Sequence, residues 1–312
     1  MAVLVLDTLP HCQEWTNALR AHAPEMDIRP WPDVGNRDEI THAVVCFPEP
    51  GELAKLPNLK AMHSLWAGVD HATRDKDLPL DVPLIRMVDH SLSQGMLDYV
   101  TGHVYRHHLQ MPKFEALQRR AEWLQEVPPL VEERTVGIMG IGVLGGEIAE
   151  QLAALGFKVR GWARTQKNID DVYCFAGMES LEEFLNGTEI LVLLLPNTPE
   201  TTDIMNEETL AMLPEGAAII NAGRGTLIDE DALIAALDAG QISAATLDVF
   251  KTEPLPKDHP FWAHEKISVT PHVAAETRLS TASKVIIDNI RHLDDGGSID
   301  DVDGVFDPRA GY

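Results

Sequence analysis

The sequence has little cysteine. Cys12, Cys46 and Cys174 are scattered, without metal-ligand or redox spacing. That pattern excludes a disulfide scaffold and a zinc site built on cysteine pairs, and it points to a reducing compartment, the cytoplasm. No apolar run approaches the ~20 residues of a membrane-crossing helix. The opening M-A-V-L-V-L-D has neither a basic flank nor a cleavage site, so it reads as a first strand and not as an export signal. Basic charge is also short: 25 Lys and Arg stand against 49 Asp and Glu, a formal charge of −24. Such a surface repels phosphate backbones and anionic lipid, which argues against nucleic acid and membranes as partners. Any anionic ligand then needs a locally positive pocket. Internal repeats and low-complexity segments are lacking too. The acidic stretch D-D-G-G-S-I-D-D-V-D-G (294–304) lacks the spacing and closing glutamate of an EF-hand, so it is expected to be a surface connection without calcium.

What is present is an alternation of short apolar runs and helical patterns over 312 residues, length enough for roughly two domains. Strands are predicted at 2–7, 43–47, 60–66, 83–88, 135–140, 157–162, 190–195, 217–222, 244–249 and 267–270. Runs as apolar as I-L-V-L-L-L indicate strands covered on both faces, as in parallel α/β sheets. One helix is predicted at 229–240, acidic at its start and closed by Gly240, and another at 281–293.

A glycine-rich turn, G-I-G-V-L-G, spans 140–145 between a predicted strand (136–139) and a predicted helix (146–155). Glycines there let the backbone approach a pyrophosphate, which then sits at the helix N-terminus. Gly140, Gly142, Val143, Leu144 and Gly145 are therefore candidate dinucleotide contacts; a methyltransferase-type nucleotide site is the rival reading. Because the turn opens at 140, the dinucleotide domain is the middle of the chain, expected at 99–280. Residues 1–98 and 281–312 then form a second α/β domain. The next strand ends in G-W-A-R-T (161–165), with Ala163 where an NAD-specific site carries an acid for the ribose 2′-hydroxyl. Arg164 and Thr165 follow, with Lys167 nearby, and a guanidinium can pair a 2′-phosphate bidentately. This predicts NADPH over NADH, with NADH also usable; the other reading is a surface basic cluster.

Arg224 (in N-A-G-R-G), Glu253 (in F-K-T-E-P) and His272 (in T-P-H-V-A-A) each follow a predicted strand, where ligand sites of open α/β sheets gather. Singly they could be a salt-bridge partner, a turn residue and a satisfied loop histidine. Together, behind a dinucleotide turn, they suit carboxylate binding and proton transfer. His103 and His107 lie four apart on a predicted helix, but no third ligand is visible and no metal is expected.

These blocks carry a resemblance. With A-G-V-D (67–70), L-P-N-T-P-E-T (195–201) and L-D-V-F-K-T-E-P-L-P (247–256), they make the chain similar to the D-isomer-specific 2-hydroxyacid dehydrogenases over essentially its full length. The segments W-A-R-T, H-V-A-A-E-T-R (272–278) and R-A-G-Y (309–312) resemble the glyoxylate/hydroxypyruvate reductase A branch. The resemblance implies two doubly wound parallel-sheet domains, a Rossmann coenzyme domain inserted into a flavodoxin-like substrate domain. It implies a reductase of small 2-keto acids: Arg224 pairs the substrate carboxylate and keto oxygen, and His272 protonates the developing alkoxide. Glu253 orients the imidazole and favours its charged form. Backbone N–H groups of Ala67, Gly68 and Val69 would bind the carboxylate, and Asp248 the nicotinamide carboxamide. Leu195, Pro196, Asn197, Ala222, Gly223 and Ala274 would line the cofactor. Trp66 either caps the substrate pocket or packs under the hinge, and Met96 is either a wall or core. The family also implies a homodimer through the coenzyme domain, around 103–124. Two other readings remain at this stage, a dehydrogenase of another D-2-hydroxy acid and a dinucleotide-sensing corepressor.

Overall fold

A computed structural model describes residues 1–307, so the R-A-G-Y segment lies outside the described residues. The chain divides into two compact units: Met1–Ser93 with the segment from Glu276 onward, and Gln94–Ala275. In the first unit the strands are β1 (Ala2–Asp7), β2 (Asp27–Pro30), β3 (Ile40–Cys46), β4 (Ala61–Ser64) and β5 (Leu84–Ile85). They form one parallel sheet in the order β2-β1-β3-β4-β5, the flavodoxin-like winding. Every residue of β1 is buried, as its unbroken apolar run requires. Helices α1 (Cys12–His22) and α2 (Asp70–Thr73) belong to this unit, and α3 (His90–His108) begins in it and runs on into the second.

The second unit continues with α4 (Met111–Arg119), β6 (Thr135–Met139), α5 (Val143–Ala154), β7 (Lys158–Ala163), β8 (Val172–Ala176) and α6 (Leu181–Asn186). It then runs through β9 (Ile190–Leu193), α7 (Glu207–Ala211), β10 (Ala217–Asn221), α8 (Glu230–Ala239), β11 (Ile242–Leu247) and β12 (Ile267–Val269). After it the chain returns to the first unit with α9 (Leu279–Asp294), which lays Ile286, Ile287 and Ile290 into the core and packs on α1. The seven-stranded sheet is parallel throughout, in the order β12-β11-β10-β9-β6-β7-β8. Counted from β6 this is the Rossmann winding with one further strand, and the order reverses at β6. Hydrophobic clusters cover both faces, one centred on Phe184, Leu191, Ile219 and Leu247, the other on Ile138, Ile148, Val192 and Ile220.

Helix α8 shows the ends its sequence predicts. The Asp229 side chain caps it by accepting from the N–H groups of Asp231 and Ala232, and Gly240 closes it at φ 83°. Two strands were not predicted, β2 and β8. Both are sheet edges, and neither needs a continuous apolar run: β2 contains Asp27, Arg29 and Pro30, and β8 buries only Phe175 fully.

Candidate active site

The glycine turn sits at the reversal point of the seven-stranded sheet. The Gly140 N–H donates to Trp162 O at the end of β7 (2.8 Å), and the Leu194 N–H donates to Met139 O beside it (2.8 Å). Gly140 has φ 106°, and a Cβ there would lie 2.8 Å from the Leu194 carbonyl. A Cβ on Gly145 would overlap the Gly140 carbonyl oxygen, so the turn and α5 pack as they do only with glycine at both positions. Gly142 differs: it is the N-cap of α5, offers no side-chain cap, and a Cβ there would meet no heavy atom within 4 Å. Space beside the Gly142 Cα is thus open, at the N-terminus of α5. These residues fit a dinucleotide pyrophosphate. Val143 is exposed, with Leu144 half-buried behind it.

At the far end, Ala163 closes β7 as a buried residue, and Arg164, Thr165 and Lys167 follow it exposed. No carboxylate follows Ala163 in the strand-end segment, where Arg164 and Lys167 supply two cations, with Glu200 near enough to Arg164 to feel its charge. Leu195 and Ala222 are buried at the ends of β9 and β10. Asn197 accepts from the Thr226 hydroxyl (2.9 Å), and Pro196 O accepts from the Thr201 hydroxyl (2.6 Å), which hold this loop.

Arg224, Glu253 and His272 follow β10, β11 and β12, three consecutive neighbours in the sheet. Parallel strands point their carboxyl ends the same way, so residues placed just after them converge. His272 Nδ1 lies 2.7 Å from Glu253 Oε2, and both side chains are partly exposed. The other Glu253 oxygen accepts from the Phe250 N–H at 2.9 Å. Burial works to raise the Glu253 carboxyl. The hydrogen bonds from His272 and Phe250, with the positive charge of Arg224, outweigh it and hold the carboxyl below its ordinary value. Arg224 is half-buried, and its Nη1 donates to Gly223 O at 2.8 Å. Gly225 brings the arginine loop hard against the next one: a Cβ there would overlap the Phe250 carbonyl.

Asp248 is completely buried, and its carboxylate faces the loop that carries His272. Oδ1 accepts from the Thr270 hydroxyl (2.6 Å) and the Val273 N–H (2.9 Å); Oδ2 accepts from the Ala274 N–H (2.9 Å). Its main-chain oxygen accepts from the His272 N–H at 2.8 Å. Ala274 is buried beside it. Met96 is buried in the hydrophobic cluster that contains Val100, Ile138 and Ala274.

In the first unit Ala67 and Gly68 are half-buried and Val69 is buried, at the turn before α2. Trp66 is half-buried and packs edge-on against Phe47 (5.0 Å between centroids) and His71 (5.2 Å). The residues considered for a metal have other contacts. His107 Nε2 lies 3.0 Å from Thr246 Oγ1, and the His103 ring lies against Tyr99 at 4.4 Å. No group of three or more metal-binding side chains gathers among the described residues.

Sequence reasoning missed three supporting residues. Asn221, buried at the end of β10, accepts from the Gly223 N–H (3.1 Å) and donates to Arg224 O (2.9 Å), shaping the arginine turn. A polar residue closing a fully apolar strand was the available signal. Thr270 opens the T-P-H-V-A-A block, and Tyr99 on α3 carries no local signal.

Comparison with known proteins identifies the family. Residues 101–274 match the family model for the D-isomer specific 2-hydroxyacid dehydrogenase NAD-binding domain. A glyoxylate/hydroxypyruvate reductase A from Serratia proteamaculans is 40% identical over 307 residues, 97% of each chain. A D-isomer specific 2-hydroxyacid dehydrogenase from Xanthobacter autotrophicus, solved with NADPH and MES, is 43% identical and superposes with a TM-score of 0.93 over 100% of this chain and 99% of its own. An NADPH-dependent glyoxylate/hydroxypyruvate reductase from Sinorhizobium meliloti, solved with NADP and sulfate, is 36% identical, with a TM-score of 0.91 over 100% of both chains. The chain belongs to the D-isomer specific 2-hydroxyacid dehydrogenases.

Proposed function

We propose that the protein is an NADPH-dependent reductase of small 2-keto acids, converting glyoxylate to glycolate and hydroxypyruvate to D-glycerate. The observation that carries the reading is the His272–Glu253 contact of 2.7 Å, with Arg224 at the end of the adjoining strand, in a chain that carries Ala163–Arg164 where a ribose-binding acid would stand. The names and bound NADP(H) of the relatives support the cofactor and the acceptor class.

When bound, NADPH supplies the hydride that adds to C2 of the keto acid. Arg224 holds the acceptor by its carboxylate and keto oxygen, which fixes the carbonyl for attack. As C2 gains the hydride, the carbonyl π pair moves to oxygen, and His272 delivers a proton to that oxygen from Nε2. Nδ1 stays bonded to Glu253, whose carboxylate offsets the imidazolium charge before transfer and holds the ring plane. Gly140, Gly142 and Gly145 with Val143 and Leu144 seat the pyrophosphate. Arg164, with Thr165 and Lys167, takes the 2′-phosphate. In this reading residues 99–280 are the coenzyme domain and 1–98 with 281–312 the substrate domain.

We further propose a cytoplasmic homodimer through the coenzyme domain. The segment after α4 leaves Trp123 96%, Val127 83% and Leu130 62% exposed, apolar area of the kind that partner subunits cover. Among the described residues no helix is long and apolar enough to cross a membrane. Light scattering tests the dimer, and a monomeric mass contradicts it.

The deciding experiment follows NADPH and NADH oxidation with a panel of 2-keto acids. Turnover of glyoxylate and hydroxypyruvate with NADPH is expected, and its absence refutes the proposal. His272→Gln should cut kcat by ~10²–10⁴-fold with NADPH affinity unchanged. A small loss would remove His272 from the general-acid role.

A further inference from the structure

His272 has a backbone φ of 55°, in the left-handed region that residues with a Cβ rarely occupy. Such a conformation persists where its surroundings over-determine it. Besides the His272 N–H bond to Asp248 O and the ring bond to Glu253, one buried side chain braces the loop. Asp248 binds the chain on both sides of the histidine, through Thr270 before it and the Val273 and Ala274 N–H groups after it. The Asp248 end of each bond is fully buried, which limits competition from water there.

The network does not end at Asp248. Thr270 Oγ1 lies 2.6 Å from Asp248 Oδ1 and 2.7 Å from the Tyr99 hydroxyl of α3. A carboxylate only accepts, and threonine has a single hydroxyl hydrogen. The Thr270 hydrogen is therefore committed to Asp248, and Tyr99 must be the donor to Thr270. The direction of every hydrogen in the chain Tyr99 to Thr270 to Asp248 is thus determined. Burial pushes the Tyr99 phenol up, which keeps its hydrogen in place at any working pH.

We propose that Tyr99 and Thr270 are positioning residues for the reaction. Thr270, oriented by Tyr99, donates to Asp248 Oδ1 beside the Val273 N–H, and so holds the carboxylate that fixes the His272 loop and the direction of the imidazole. This rests on the reading of His272 as the proton donor, and it makes the acid's aim depend on a tyrosine far away in sequence. A residue that merely stabilises the fold would alter melting temperature without separating catalysis from binding.

The test compares Thr270→Val, Thr270→Ser, Tyr99→Phe and the double variant Tyr99→Phe/Thr270→Val. Three quantities are measured: kcat and KM with glyoxylate and NADPH, the NADPH dissociation constant, and amide hydrogen exchange at Val273 and Ala274 by NMR. Thr270→Val should lower kcat about tenfold, the loss of one charge-assisted hydrogen bond, and leave NADPH affinity within about twofold. Tyr99→Phe should cost about threefold, and Thr270→Ser should restore kcat to within about twofold of the parent. The double variant should be no worse than Thr270→Val, because without the Thr270 hydroxyl the Tyr99 hydrogen bond has no acceptor. Exchange protection at Val273 and Ala274 should fall in parallel, with strand amides unchanged. Unchanged kcat and protection in Thr270→Val would overturn the proposal, as would a loss confined to KM. If the parent turns over no keto acid, the functional reading fails. The network is then judged on amide protection alone, where a fall in Thr270→Val upholds it and parental protection overturns it.

Discussion

Two glycines of the same turn should respond in opposite ways to the same methyl group. At Gly142 a Cβ meets nothing within 4 Å, so the methyl itself meets no clash. Losing a glycine N-cap costs about 0.5–1 kcal/mol, and the reduced entropy of the unfolded chain returns about 0.4–1 kcal/mol. Folding stability of Gly142→Ala should therefore stay within about 1 kcal/mol of the parent, a shift in Tm of at most ~4 °C. The methyl would, however, stand in the open space at the N-terminus of α5 and its N–H groups. Forcing a pyrophosphate back from them weakens one charge-assisted hydrogen bond or more, ~1.5–3 kcal/mol, which is about 10–100-fold in Kd. Gly145→Ala places its methyl into the Gly140 carbonyl instead. Relief requires the turn and α5 to separate, at ~1–3 kcal/mol of stability. Thermal unfolding without cofactor and titration with NADPH separate the two effects. Gly142→Ala binding NADPH within about threefold of the parent would refute a pyrophosphate over this turn. Equal destabilisation by both changes would refute the packing argument.

Arg164→Ala should lower kcat/KM with NADPH by about 10–100-fold, the loss of a guanidinium–phosphate pair, and change the NADH value little. Parallel losses with both cofactors would assign Arg164 elsewhere. The Glu253 carboxyl is held below its ordinary value of 4.5, so it stays ionised as pH falls through that value, and its support of His272 is lost only below it. Initial rates of reduction should show no acid limb down to about pH 4.5; a limb at or above that value refutes the pairing. His63 and His107 are buried, and desolvation lowers each to about 3 from 6.5. Both are neutral in the folded and unfolded chain above pH 6.5. Below it the unfolded chain takes up protons that the folded chain refuses, so stability is lost as pH falls towards 3. At ~1.36 kcal/mol per pH unit, unfolding in urea at pH 5 should show ~2 kcal/mol less stability per histidine than at pH 7. A flat profile would mean that these rings are solvated or protonated in the fold.

Much of the architecture was legible because parallel strands buried on both faces must be apolar throughout. Most of the ten predicted strands announced themselves in that way, A-V-L-V-L-D at β1 and I-L-V-L-L-L at β9 among them, whereas the edge strands β5 and β12 were found as short runs between turns. The edge strands β2 and β8 did not, because each pairs with a single neighbour and carries polar or exposed residues such as Asp27, Arg29 and Tyr173. The helix ends at Asp229 and Gly240 were legible for a different reason: capping is local chemistry, settled within four residues.

The same distinction explains the site. Arg224, Glu253 and His272 could be read together because β10, β11 and β12 are consecutive in both sequence and sheet, so the residues after them must meet. Asp248 was readable as a site residue but not in its orientation. Its partners are set by the turn of the 270–274 loop, and nothing in D-V-F-K-T-E-P tells which way a carboxylate rotates. Tyr99 was not readable at all. Its hydroxyl reaches Thr270 from a position 171 residues upstream, on a helix whose sequence looks like ordinary core. A hydrogen-bond chain that crosses from α3 to the β12 loop leaves no periodicity, spacing or motif behind. Residues that perform chemistry therefore cluster in sequence by strand order, whereas residues that aim them are found only once the side chains have coordinates.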